Sequence, residues 1–238
     1  MNLRNSCIVG LLLAAAPFVA AQEEAASPWA GKAKLGYLAT SGNTENSTLN
    51  AGFEVSYTTD TWKHLLKAHA INAAENKVTT AEAYEAGWKS ERSFSEHNYM
   101  FGQLDWRKDR FSGYETQFSQ TLGYGRRLID TEAHKLNVEI GGGARQSKLV
   151  DGTDESETIA RLGLGYAWQI SETAAFTQNF TVEAGDANTY SESVTALSAK
   201  LVGSLALVAS YTIKNNSDVP PLTEKTDTYT ALSLEYTF

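Results

Sequence analysis

This chain lacks most of what catalysis and metal binding are usually built from. Of its 238 residues one is cysteine, Cys7, and four are histidine. A single thiol excludes an internal disulfide and a cysteine metal site. Arg4, Asn5 and Ser6 precede Cys7 and do not form a lipoprotein cleavage box, so no lipid anchor is expected. Neither a Gly-x-Ser-x-Gly elbow nor a His-Glu-x-x-His motif occurs. Basic charge is short as well: 20 Lys and Arg stand against 28 Asp and Glu, and the net charge of −8 argues against nucleic acid as a partner. Nor is there an apolar run of about 20 residues, the length a membrane-spanning helix needs. Mean hydropathy is −0.32, the value of a water-soluble chain.

What is present starts with a leader. Met1 to Ala21 reads as a signal peptide: Arg4 is the basic residue, Cys7 to Ala16 the short apolar run, and Val19 and Ala21 the small residues before a cut ahead of Gln22. Without Arg4 the charge moves from −8 by one unit to −9. Residues 22–28 form a polar, flexible leader, and residues 29–238 remain for one domain.

That domain breaks into short segments of period-two alternation separated by turn chemistry. The clearest is the last, Thr226 to Phe238, with Thr230, Leu232, Leu234, Tyr236 and Phe238 on one face and Ala231, Ser233 and Glu235 on the other. An alternating strand that closes on Phe resembles the terminal signature of bacterial outer-membrane β-barrels, with Leu234, Tyr236 and Phe238 as the assembly signal. Eleven more strands precede it, near 31–40, 47–57, 62–71, 84–92, 98–107, 114–125, 135–146, 158–170, 175–183, 193–201 and 204–214.

Twelve is even, as an antiparallel single-chain barrel requires. Connections alternate between tight turns, near 58–61, 93–97, 171–174 and 202–203, and long polar ones, near 72–83, 147–157, 184–192 and 215–225. The segment Arg126 to His134 breaks this rule, being long on the tight side. Tyr57, Trp62, Tyr124, Trp168, Phe176, Tyr236 and Phe238 fall outward at the tight end, and Tyr37, Tyr84, Trp106 and Tyr114 outward at the other. Two belts of amphipathic rings suit a bilayer with two water interfaces. The expected fold is all-β: a single antiparallel up-and-down transmembrane barrel of about twelve strands. A soluble ligand-binding barrel, with apolar faces inward, is the rival.

Parity assigns charged side chains to the lumen: Lys34, Lys63, Lys67, Lys89, Arg107, Arg145, Arg161 and Lys200, with Glu54, Glu85, Glu91, Asp105, Glu115, Glu139, Glu183 and Glu235. The signs balance, whereas a strongly selective channel shows rings of one charge. Gly141, Gly143, Gly163 and Gly165 face inward too, either leaving room for solute or letting large neighbours pack across. Among histidines, His64 and His69 lie five apart and point to opposite faces, while His97 and His134 fall in turns at the tight end. A base beside a nucleophile, which hydrolysis at a barrel rim needs, is not legible. No catalytic residue, metal or cofactor is expected.

The densest charge cluster is Arg107, Lys108, Asp109 and Arg110, followed by Phe111, Ser112 and Gly113. It reads either as a basic rim site for phosphate groups or as a knot in which Asp109 pairs with Arg107 or Arg110, the second being favoured. Asp151, Asp154, Glu155 and Glu157 lack the spacing of a calcium loop and read as a solvated acidic turn. The block from Trp106 to Tyr114, with Gly36, the run Ser41 to Thr44, Gly123, Gly125, Thr226 to Thr228 and the final Tyr236 to Phe238, resembles an uncharacterised bacterial outer-membrane family labelled salt-induced outer membrane protein. The resemblance spans essentially the whole mature chain. It implies the outer membrane of a Gram-negative bacterium and a link to osmotic stress, and it carries no activity or catalytic residue. The expected partners are outer-membrane lipid, lipopolysaccharide, the barrel assembly machinery and periplasmic chaperones, around a monomer. The expected function is a passive pore or structural envelope barrel; the alternatives are a rim hydrolase and a lipopolysaccharide-binding or adhesin surface.

Overall fold

A computed structural model describes residues 27–40, 46–110 and 112–238. The leader expected before residue 27, residues 41–45 and Phe111 lie outside the described residues. Twelve strands follow in order: β1 (Trp29–Thr40), β2 (Asn46–Thr58), β3 (Trp62–Glu75), β4 (Val78–Ser93), β5 (Asn98–Asp109), β6 (Tyr114–Asp130), β7 (His134–Leu149), β8 (Asp154–Gln169), β9 (Ala174–Ala184), β10 (Thr189–Val202), β11 (Leu205–Asn216) and β12 (Thr226–Thr237). Each pairs antiparallel with its sequence neighbours, and β1 closes on β12, so the sheet is one up-and-down barrel. Closure leaves no sheet edge, the cheapest way to satisfy every backbone N–H and C=O of so long a meander.

The strands outrun their alternating cores. The polar stretch 72–83, expected as a long loop, is instead strand on both sides of a two-residue turn at Asn76 (φ 49°) and Lys77 (φ 66°). Two successive left-handed residues are the signature of a type I′ hairpin, whose twist matches the flanking strands. The anomalous long turn at 126–134 also disappears: β6 runs on to Asp130, leaving three residues before His134. Stretches 147–157 and 184–192 shorten to 150–153 and 185–188, so 217–225 is the longest connection among the described residues. All five turns at the end that holds residues 27 and 238, the near end, are short; the far end carries the longest connection.

Side chains sort by face. Leu66, Trp88, Leu104, Leu122, Ile140, Leu162, Leu164, Leu197 and Leu232 are exposed on the outside, whereas the fully buried large side chains include Arg145 and Glu183. Oil outside and charge inside is the inverse of a soluble barrel. At the near end the outer rings touch: Trp29–Tyr57 at 4.8 Å, Tyr57–His64 at 6.4 Å, Trp62–His64 at 5.6 Å, His134–Trp168 at 5.8 Å and Tyr236–Phe238 at 6.3 Å between centroids. His64 and His134 thus belong to this girdle, the latter as the first residue of β7 rather than part of a turn. Tyr114 departs from the outward assignment. It is 3% exposed, and its hydroxyl donates to the Asp218 carbonyl at 3.1 Å.

The seam is the thinnest joint. β1 and β12 share register from Lys32↔Thr237 to Leu35↔Leu234, four positions, against twelve between β1 and β2. Phe238 reinforces it: its N–H donates to the Gly31 carbonyl at 2.9 Å and its own carbonyl accepts the Gly31 N–H at 2.8 Å. Its ring lies over the Gly31 Cα, where a Cβ would come within 2.4 Å of it.

Candidate functional site: the charged lumen

The inward side chains gather around carboxylates placed by strand register. Glu183 on β9 is the outer hub. Arg107 on β5 donates both guanidinium nitrogens to it at 3.0 and 3.1 Å, Ser119 on β6 donates its hydroxyl at 3.0 Å, and Arg145 on β7 stands 3.7 Å away. Arg145, 0% exposed, also donates to Glu157 at 2.7 and 3.1 Å and to the Asn188 carbonyl. Removing such charges from water costs several kcal/mol each, and only paired, hydrogen-bonded partners offset it. The fork of arginine supplies that pairing in two directions at once.

Glu139 on β7 is the inner hub. Lys89 reaches it from β4, Arg161 donates to it from β8 at 2.9 Å, and the Tyr99 hydroxyl donates from β5 at 2.7 Å. Phe101 lies beneath both cations, 4.9 Å from Lys89 and 5.4 Å from Arg161. Lys89 also meets Glu91 at 3.1 Å, and Arg127 stands 3.9 Å from Glu91. A third pair, Lys214 of β11 with Glu85 of β4, joins strands five positions apart in a twelve-strand ring. It therefore runs close to a diameter of the lumen. At the near end Glu235 takes Lys34 at 3.0 Å and Lys32 at 3.7 Å.

The parity list and this map differ in places. Glu115 does not face the lumen. A register shift between Tyr114 and Thr116 changes the face, and Glu115, its side chain 50% exposed, meets outward Lys148 at 3.6 Å. Glu54, Lys63, Lys67 and Lys200 are exposed to water, Asp105 is buried and accepts the Gln103 amide at 2.7 Å, and no ion pair holds the first four among the described residues. Sequence reasoning missed Lys214, Glu157 and Arg127 as network members. Lys214 was available to parity, since Tyr211 and Val208 already fix the two faces of β11.

The inward glycines resolve one alternative. A Cβ on Gly123 would lie 2.5 Å from the Phe101 ring, one on Gly125 2.2 Å from the Tyr99 ring, and one on Gly165 2.7 Å from the Asn137 amide. These positions are occupied by neighbouring side chains. On β7, Gly141 and Gly143 instead bring the backbone close to β6, a Cβ falling 2.6 Å from the Leu122 carbonyl and 1.8 Å from that of Gln120.

Members of the charge-rich motif reach partners elsewhere in the barrel. Arg107 leaves it for Glu183, Arg110 meets Glu82 at 3.1 Å, and Asp109 accepts the Tyr229 hydroxyl at 3.4 Å. Lys108 is exposed. Ser112 and Gly113 have another task. Gly113 sits at φ +86°, and a Cβ there would fall 2.5 Å from Pro220, so only glycine lets the 217–225 loop dock. Asn188, 1% exposed, ties the same roof together, donating to Asn216 at 2.8 Å and accepting from Ser217 and the Asp218 N–H at 3.3 and 3.2 Å. In the acidic turn Asp151 accepts the Thr153 N–H at 2.9 Å, which holds its carboxyl below the usual carboxylate range.

Two of the histidines have side-chain hydrogen-bond partners. His69 Nε2 shares a hydrogen bond with Asn50 at 3.0 Å, and His134 Nδ1 one with the Tyr166 hydroxyl at 2.9 Å.

The chain is similar to several solved structures and to one curated relative. A NanC porin covers 87% of this chain and 97% of its own at 10% identity, with a TM-score of 0.49. A KdgM porin covers 88% and 99% at 9% identity with the same score. The translocator domain of the autotransporter NalP from Neisseria meningitidis covers 91% and 90% at 10% identity, with a score of 0.47. In sequence, the uncharacterised protein YdiY of Escherichia coli (strain K12) is 34% identical over 213 residues, 89% of this chain and 84% of the relative. A family model described as a protein of unknown function, DUF481, matches residues 33–238, and the chain belongs to that family.

Proposed function

We propose that the barrel spans the outer membrane of a Gram-negative bacterium and acts as a narrow passive pore, not as an enzyme. The carrying observation is the set of ion pairs that cross the lumen, above all Lys214–Glu85 between nearly opposite strands and Arg107–Glu183 between β5 and β9. Side chains of both signs meet there, so the passage left between them is small and electrically balanced. A ring of one charge would select strongly; a paired set does not. The apolar exterior and ring girdle support lipid around the wall. Phe238 and the β1–β12 seam are the parts on which the assembly machinery would act, and a monomer suffices because the lumen is complete in one chain. The link to salt or osmotic stress rests on the family resemblance alone.

Planar-bilayer recording of the purified barrel tests this. The expected trace has small unitary steps and a reversal potential near zero in a salt gradient. A large, strongly ion-selective conductance contradicts the balanced lumen, and no conductance at all favours a purely structural envelope barrel.

A further inference from the structure

The far mouth of the barrel is crossed by one of its own connections. Residues 217–225 join β11 to β12, and Pro220 rests on Gly113, where a Cβ would lie 2.5 Å from the proline ring. Thr223 closes on the same glycine, its methyl 3.5 Å from that Cβ position. Gly113 stands between β5 and β6, and these lie directly opposite β11 and β12 in the twelve-strand ring. The four residues from Asn216 to Pro220 span at most about 14 Å, so the strap reaches only where the two walls already lie close. Contacts beneath it show that they do: Lys214 meets Glu85, the Tyr229 hydroxyl donates to Asp109 at 3.4 Å, and the Arg107 guanidinium lies 4.2 Å from the Tyr190 ring centre.

The strap is held differently at its two ends. At the base the Thr189 carbonyl accepts the Ser217 N–H at 3.0 Å, the Ser217 hydroxyl accepts the Thr189 N–H at 2.8 Å, and Asn188 accepts from Ser217 and the Asp218 N–H. Across the mouth it is held by the Tyr114 hydroxyl, which donates to the Asp218 carbonyl at 3.1 Å, and by the seat of Pro220 on Gly113. Ser112, Gly113 and Tyr114 are buried although they lie at the rim, and the strap helps to cover them. Pro220 and Pro221 fix two successive φ angles, so its middle moves as a stiff bar. Leu222 beside them is fully exposed and sits at φ 70°, left-handed backbone that strains a branched side chain. A few neutral bonds hold this segment, whereas continuous ladders hold the wall, so the strap opens locally long before the barrel distorts. We propose that residues 217–225 are a gate, hinged at Asn188 and latched at Gly113 and Tyr114, which bars the far mouth when docked and admits solute when the latch releases. Such a gate adds regulation to the pore reading and rests on that reading for the passage beneath it.

Bilayer recording and spin-label distances test the gate and the pore separately. Tyr114→Phe removes the latch hydroxyl and keeps the ring, so the ratio of open to closed time should rise roughly fivefold, the value of one hydrogen bond, at unchanged step size. Leu222→Asn should lower that ratio about threefold, since asparagine tolerates the left-handed backbone that strains leucine. Replacing residues 219–223 by two glycines should leave the channel open throughout. For the distances, a full-length Cys7→Ser barrel carries labels at Leu222→Cys on the strap and Lys108→Cys near the far end of β5. One short distance is expected with Tyr114 in place, and a second, longer one in Tyr114→Phe. A single distance that Tyr114→Phe leaves unchanged, or a current that flows yet ignores all three changes, overturns the gate. If the longer distance appears but no form conducts, the shortened strap included, the pore reading falls and the hinged strap stands.

Discussion

The two walls of the lumen do different work. From β3 to β8 the inward positions carry Lys89, Glu91, Tyr99, Phe101, Arg107, Glu139, Arg145 and Arg161, large groups that lean across the space to one another or to Glu183 on β9. In the near half of β9 to β12 the same register places small residues, Ala175, Thr177, Ala196, Ser198, Val208, Ser210, Ala231 and Ser233, with charge only at the rim, on Lys200 and Glu235. One wall fills the barrel and holds it in shape. The other leaves whatever passage remains. Twelve strands enclose more room than eight, whose interior side chains fill it, and this chain divides the surplus unequally instead of lining it evenly.

Substitutions can break that division. The largest effect is expected for Arg145→Ala, which strands Glu183 and Glu157 as buried, undercompensated carboxylates. A cost of about 3–5 kcal/mol follows from breaking a buried pair, read as a lower midpoint in urea-driven unfolding from detergent, together with higher unitary conductance. Unchanged midpoint and conductance would mean that Arg145 does not hold Glu183 and Glu157 together. Next is Gly125→Val. The added side chain meets the Tyr99 ring, and overpacking costs about 1–3 kcal/mol; the double change Gly125→Val with Tyr99→Ala should restore most of the loss. On the thin wall Ala196→Trp reverses the balance, lowering conductance while costing under about 1 kcal/mol. Conductance that survives this bulk would place the passage elsewhere. Smallest is Lys200→Ala, an exposed lumen cation outside the network, expected within about 0.5 kcal/mol of the parent and without effect on current size.

The same contrast marks how far the residues alone can be read. Alternation in β2, β5 and β12 identifies strands because lipid or water on either face leaves a mark at every second position. It locates no partner across the barrel. Arg107 and Glu183 lie 76 positions apart, Lys214 and Glu85 129 apart, and nothing local ties them. Glu115 misleads parity because one extra residue in β6 shifts the face without altering composition. The turn at Asn76 and Lys77 hides in a polar stretch, since neither residue is the glycine that usually announces left-handed backbone. Tyr99 and Phe101 escape for the opposite reason. They are oily residues on the wet side, made possible by glycines on the next strand.

The four-pair seam also sets an order in time. β1 and β12 lie at opposite ends of the described chain, so their joining carries the largest loop-closure entropy of any pairing and is repaid by the fewest bonds. Hairpins from β2 to β11 can zip locally before the ring shuts. In hydrogen exchange, the amides of Lys32 to Leu35 and of Leu234 to Thr237 should lose protection well before those of β6 and β7, which share fifteen register positions. The aromatic residue over Gly31 is then less an ornament of the last strand than the pin that keeps a hoop from springing open.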